Sequence, residues 1–314
     1  MIYNSRKYKL FVRFSFIISF VFALILGVLL SVIALNLGYW SVSTVIAVAL
    51  VAVAFFLYLF FSSVAKYWKM GKIAKKEFPE EWEKVLREYV EFYNGLDDED
   101  RTKFKQKILL FLSEKKISGI ETEIDDRVKL LIAASAVIPV FNLDDWEYDD
   151  ISEILVYPGR FDNDYRFDGS NHFLGMVTGK GGVIIISKQD IIEGFKHWEK
   201  GRNVGIHEFA HKIDGGDGYI DGIPFLIMDK NLAKEWKRVR SDEIEKIKKG
   251  ESDIDSYATR SNAEYFAVSC EYFFSNPVEF GKKHPELYNL LKKIFKIDTR
   301  SIIKEVVKNM FSGG

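Results

Sequence analysis

Residues 203–214 read Asn203-Val204-Gly205-Ile206-His207-Glu208-Phe209-Ala210-His211-Lys212-Ile213-Asp214, a His-Glu-x-x-His pattern inside an otherwise apolar, helix-compatible run. Residues four apart share one side of a helix, so His207 and His211 can each offer an imidazole nitrogen to a single ion. Glu208 lies one step further round the helix, beside such an ion rather than on it. That is where a base takes a proton from a water held by a metal. Two imidazoles and a carboxylate suit zinc and leave a fourth position for water. A chance grouping of polar residues would instead leave two unpaired histidines among Ile206, Phe209 and Ala210, which is costly in a buried helix.

The third ligand must come from elsewhere in the chain. Cys270 is the only cysteine, so there is no internal disulfide and no Cys-type structural zinc site. Glu264 and Glu271, on a predicted helix over 262–274, are the candidates. Seven residues place them on one face but about 10 Å apart along the axis, so one ion takes only one of them. Ser261-Asn262-Ala263-Glu264 also matches a capping box, which would turn Glu264 toward a backbone amide. Glu271 could be the acceptor that orients a ligand histidine. Spacing alone leaves the choice open. Asp214 either bonds a ligand histidine or starts the following turn. His172, His197 and His284 lack ligand spacing and read as surface or loop residues, and Cys270 reads as a core thiol.

Around this motif the sequence predicts helices over 80–93, 98–112, 125–137, 189–198, 233–248, 286–294 and 301–310. The helix over 125–137 is apolar on most faces and should be deeply buried. Strands are predicted at 154–157 and 182–187, the latter with three consecutive isoleucines, and a polar, glycine-rich loop separates them. The edge of the 182–187 strand is a candidate cradle for an extended peptide. Four glycines between 215 and 222 open a long loop that could gate a cleft.

The N-terminal fifth has a different composition. No charged residue occurs from Phe14 to Ala65. At about 20 residues per crossing this is two spans, placed at 14–35 and 41–61, with Tyr39 and Trp40 at the interface. A signal peptide fits poorly, because the first apolar run exceeds the usual ~7–15 residues and a second span follows. Gly27 alone does not argue for helix association. Arg6, Lys7, Lys9 and Arg13 precede the first span, and Lys66, Lys69, Lys72, Lys75 and Lys76 follow the second. The positive-inside rule then puts both termini, and the larger C-terminal region, in the cytoplasm, with the lysines facing anionic lipid headgroups of the bilayer. A net charge of −1 argues against direct nucleic-acid binding. The expected organisation is a two-span hairpin with its basic segment over 1–73 and one soluble α+β domain over 74–314.

The segments 203–214, 154–161 (Ile-Leu-Val-Tyr-Pro-Gly-Arg-Phe), 130–139 (Leu-Leu-Ile-Ala-Ala-Ser-Ala-Val-Ile-Pro) and 256–274 together resemble the Mlc titration factor A family of zinc peptidases. The likeness runs from about residue 80 to 274. It implies a mainly helical, gluzincin-like metallopeptidase domain with a small sheet, whose His-Glu-x-x-His helix is completed by a glutamate on a later helix. Carried across by position, that glutamate is Glu264, giving one zinc ion (Zn2+) per chain on His207, His211 and Glu264. By the same resemblance Tyr257 faces the site, where its phenol could donate to the oxyanion formed as water attacks a peptide carbonyl. The resemblance implies peptide hydrolysis, aminopeptidase-like on small substrates, with a peptide or protein as substrate, and the hairpin would place that activity at a cytoplasmic membrane surface. It also supports a different class of function, because the family's namesake binds a transcriptional repressor: a membrane-anchored protein that sequesters a transcriptional regulator, with hydrolysis secondary or absent. Familiar members of the family lack the N-terminal hairpin.

Overall fold

The computed structural model describes residues 6–143, 146–159, 175–177 and 182–303. His172, the loop between the two predicted strands apart from residues 175–177, and the end of the helix predicted over 301–310 lie outside them. The chain forms two compact units, Met1–Lys76 and Glu77–Gly314.

The first unit is a helical hairpin, α1 (Arg6–Asn36) and α2 (Val42–Ile73). Gly38, at φ +74, turns the chain, and the Ser41 hydroxyl accepts the Thr44 N–H to start α2. Leu10–Asn36 and Val42–Ala65 are long and apolar enough to cross a membrane. Gly27 is not isolated after all. Ser15, Ser19 and Ala23 precede it at four-residue spacing and are buried, and a Cβ on Gly27 would sit 3.6 Å from the Ala52 Cβ. Small residues let the two helices approach without a hydrophobic driving force between them. Near the open end Phe16 packs edge-on against Phe56 and Phe60, with ring centroids 5.2 and 5.8 Å apart.

The second unit is mainly helical with one small sheet, the α+β class expected. Its elements are α3 (Glu80–Tyr89), α4 (Glu91–Asn94), α5 (Asp98–Glu114), β1 (Lys116–Gly119), α6 (Asp126–Val137), β2 (Glu153–Tyr157), β3 (Gly175–Val177), β4 (Val183–Ser187), α7 (Lys188–Lys196), α8 (Val204–Asp214), α9 (Lys230–Lys249), α10 (Asn262–Ser275), α11 (Pro277–Lys283) and α12 (Pro285–Phe295). The helix predicted over 80–93 breaks at Val90, which leaves helical dihedrals (φ −111, ψ 88) as Phe92 and Tyr93 enter the core. β1 and β3 were not legible, because three or four residues show no alternation.

The sheet order is β1-β2-β4-β3, with β3 alone antiparallel. β4 is therefore central, which explains its run of buried isoleucines, Ile184 to Ile186. Pairing on both sides also means that β4 offers no edge to a peptide. The strand order ends beside it at β3, which lies against α8.

α6 is buried from Leu130 to Val137, as its composition requires, and α8 packs on it through a close approach. A Cβ on Gly205 would fall 2.1 Å from the Ser135 Oγ and 2.4 Å from the Ile191 Cδ1. His284, expected at the surface, is instead buried between two carboxylates. Its Nδ1 lies 3.1 Å from the Glu243 Oε1 and its Nε2 lies 2.7 Å from the Asp253 Oδ1. Asp253 also accepts from the Tyr272 hydroxyl and the Lys283 ammonium, so the segment ahead of residue 256 is pinned to α9, α10 and α11. Only an imidazolium donates from both nitrogens. Burial opposes that charge, but the bonds to Glu243 and Asp253 outweigh it and raise the His284 pKa, while both carboxyls are held down at about 2.

Two outcomes are expected. Gly205→Ala should lower stability by about 1–3 kcal/mol through overpacking, read as a lower urea midpoint of the detergent-solubilised chain. His284→Gln should cost about 2–3 kcal/mol near pH 6. Because the native His284 pKa is raised, its contribution is complete below the ordinary histidine value and fades as pH rises through the native one, so the deficit of the variant should shrink on the alkaline side. The carboxylate contribution, present above ordinary carboxyl values, should be lost as pH falls through about 2. A deficit that is constant with pH would contradict the charged clamp.

Candidate metal centre

α8 begins at Asn203, whose side chain accepts the Ile206 N–H at 3.1 Å. The backbone N–H of Asn203 donates to the Glu271 Oε2 at 2.8 Å, and the other oxygen of Glu271 meets the His207 Nδ1 at 2.6 Å. One carboxylate on α10 thus fixes both the first turn of α8 and the rotation of the His207 ring. With Nδ1 donating to Glu271, Nε2 of His207 turns its lone pair toward Glu264 and His211.

α10 begins at Ser261, whose hydroxyl accepts the Glu264 N–H at 3.1 Å. The reciprocal half of a capping box is not made. The Glu264 carboxylate points across to α8, with its Oε2 3.0 Å from the His207 Nε2 and 3.5 Å from the His211 Nε2. The two Nε2 atoms are 3.1 Å apart. Glu264 and Glu271 are therefore both used, each by a different nitrogen of the same histidine. Spacing had left the choice between them open because each reads as a ligand candidate on one helix face.

His207, His211 and Glu264 each bring one ligand atom into a cluster whose members are 3.0–3.5 Å apart. Donors about 2.0–2.1 Å from a tetrahedral ion stand roughly 3.3–3.5 Å apart, and the separations here bracket that spacing. Lone pairs brought this close require a positive charge between them. Burial works against a charge on His207, yet Glu271 and Glu264 raise its pKa well above the usual value. Glu264 is likewise held at about 2 against burial by the two histidines. A metal cation satisfies the same demand, and the donor set fits one.

Glu208 is buried beside the cluster, with no hydrogen-bond partner for its Oε2 among the described residues. Burial, with Glu264 and Glu271 adding to it and His207 opposing, pushes its carboxyl up to about 8. Tyr257 lies in a 3-10 turn, Ser256–Thr259, which Asp255 starts by accepting the Tyr257 N–H at 2.9 Å. Its ring centroid is 6.0 Å from that of His207, and the Arg260 guanidinium stacks 4.4 Å from the ring centre. Asp214 starts the next turn: its Oδ2 accepts the Gly222 N–H at 2.8 Å, and burial lifts its carboxyl to about 6. His197 is at the surface near Glu193 and Glu199. Asn203 and its tie to Glu271 were missed, although an Asn opening an apolar helix is an N-cap signal.

Elemental analysis of the purified chain should give about one metal per chain, abolished by Glu264→Ala. Glu271→Gln should weaken metal affinity by about 10–100-fold without abolishing binding.

The sequence profile described as glucose-regulated metallo-peptidase M90 matches residues 65–296. An uncharacterized protein of Synechocystis is 29% identical over 245 residues, covering 74% of this chain and 89% of that protein. Mlc titration factor A of Pectobacterium atrosepticum is 30% identical over 230 residues, covering 68% of this chain and 86% of that protein. The protein of the same name from Cronobacter sakazakii is 31% identical over 236 residues, covering 70% and 87%. A profile match over most of the second unit, on a chain whose histidines and glutamate converge as a metal site requires, leads to one conclusion: this chain belongs to the glucose-regulated metallo-peptidase family M90.

Proposed function

We propose that the chain is a zinc-dependent peptidase held at the cytoplasmic face of a membrane by its N-terminal helix pair. The observation that carries this reading is the convergence of His207, His211 and Glu264 beside the buried, unpartnered carboxylate of Glu208. Two imidazoles and one carboxylate are a donor set that favours zinc over the harder oxygen-seeking cations. When bound, zinc supplies Lewis acidity that polarises a peptide carbonyl and makes water acidic at neutral pH.

The other roles belong to the chain itself. Glu208 takes a proton from the attacking water as its oxygen bonds to the carbonyl carbon, then returns that proton to the nitrogen as the C–N bond breaks. Tyr257, placed beside His207, donates its phenolic proton in a hydrogen bond to the carbonyl oxygen as that oxygen gains charge. Glu271 holds the His207 ring in register. The β3 edge beside α8 suits an extended substrate held by main-chain hydrogen bonds. The family likeness favours aminopeptidase-like cleavage. Lysines that follow the second apolar span, with none in the turn between the helices, support the cytoplasmic placement of the second unit.

The name of the relatives, Mlc titration factor A, supports a second reading in which the chain sequesters a regulator. A general base in the site favours hydrolysis, since sequestration alone has no use for Glu208.

Glu208→Gln should keep its metal and lose about 10²–10⁴-fold in kcat on chromogenic aminoacyl substrates. Tyr257→Phe should lose roughly 10–10³-fold in kcat with little change in KM. A cellular phenotype that survives Glu208→Gln intact would favour sequestration over hydrolysis.

A further inference from the structure

Among the described residues of the second unit, five large apolar side chains are exposed, and four of them share one loop: Tyr219, Ile220, Phe225 and Leu226, at 47–73% exposure. Single exposed apolar residues need no explanation, but four on one loop mark an interaction surface. The loop is also firmly held. Asp217 accepts the N–H groups of Tyr219 and Phe225 at 3.0 and 3.3 Å, and the Gly222 carbonyl accepts the Trp236 indole N–H at 2.9 Å. Its side chains are thus presented to solvent on a backbone anchored at several points, and folding gains nothing from their exposure.

Position ties this surface to the metal centre. The loop leaves the end of α8 three residues after His211 and is tied back to Asp214 through Gly222. Gly222, at φ +78, is pressed against α10 so closely that a Cβ would fall 2.2 Å from the Asn262 carbonyl oxygen, two residues before Glu264. The loop therefore bridges the two helices that carry the cluster.

Charge selects the occupant. Residues 214–229 contain no lysine or arginine, and Asp217, Asp221 and Asp229 each accept backbone N–H groups. None of the three forms a salt bridge among the described residues, and the basic group that senses them is the part-buried Arg240, near Asp221. An apolar surface in an acidic collar repels anionic lipid headgroups and attracts polypeptide that carries lysine or arginine beside its apolar residues.

We propose that the loop over 218–228 is the docking surface for such a polypeptide, an apolar segment flanked by basic residues, which it delivers to the metal site. The assignment of this polypeptide as substrate rests on the peptidase reading above, whereas its docking does not.

The test uses the full chain in detergent and three fluorescent decapeptides: an apolar centre with lysine flanks, the same centre with glutamate flanks, and a serine centre with lysine flanks. Binding by anisotropy and cleavage are measured separately. The first peptide should bind about tenfold more tightly than either other, and Phe225→Ser with Leu226→Ser should remove that advantage, in cleavage through KM rather than kcat. Val278→Ser, an exposed apolar position elsewhere, should change neither reading. Equal binding of the three peptides, or a preference unchanged in the double variant, overturns the proposal. Amide exchange over 218–228 should slow when the first peptide is added to the chain in phosphatidylcholine–phosphatidylserine bilayers. Slowing by the bilayer alone would make the loop a lipid contact and overturn the proposal. Selective, loop-dependent binding with no peptide cleaved upholds the docking surface and removes the peptidase reading.

Discussion

The Glu271 carboxylate is the contact on which the candidate metal centre depends. Its two oxygens hold two donors of α8, the Asn203 backbone N–H and the His207 Nδ1, at 2.8 and 2.6 Å. A buried carboxylate with one oxygen unfilled would be expensive, so the helices settle where both are filled. That setting fixes the rotation and tautomer of His207. It also places Glu264, two turns earlier on α10, opposite the remaining nitrogen. The register of α8 against α10 and the geometry of the donor cluster are one constraint seen from two sides.

The rest of the second unit surrounds that pair and limits its movement. α6 is buried from Leu130 to Val137 and meets α8 at Gly205, where contact is too close for any other side chain. The sheet supplies a central strand of isoleucines beneath and leaves β3 at the edge nearest α8. On the far side of α10, the His284 clamp pins the chain that leads into the turn holding Tyr257. Most polar groups buried around α8 and α10 are paired, but among the described residues the Glu208 Oε2, the His211 Nδ1, the Asp214 Oδ1 and the Tyr265 hydroxyl have no hydrogen-bond partner. Of these, the Oε2 of Glu208 lies next to the donor cluster, where an orphaned carboxylate oxygen fits the base of the proposed hydrolysis.

The N-terminal unit follows different physics. Its outer surface is apolar and exposed along both helices, so a hydrophobic core cannot be what joins them. Small residues at four-residue spacing allow close approach, and the phenylalanines of the two helices interlock edge to face. The same chain thus carries one unit organised by burial and another organised by shape.

Local features were legible from sequence because they are written at fixed spacing. The four-residue step from His207 to His211, the charge-free stretch from Phe14 to Ala65, the isoleucines of β4 and the apolar faces of α6 each need only their neighbours to be read. Short strands such as β1 and β3, the break at Val90, and the burial of His284 were not, since each depends on distant partners. Spacing alone could not divide Glu264 from Glu271, because seven residues place both on the same helix face. Only packing decides which nitrogen of His207 each one meets. A sequence states which groups can bind an ion or a proton, whereas which of them converge depends on how helices more than fifty residues apart settle against each other to fill their buried hydrogen bonds.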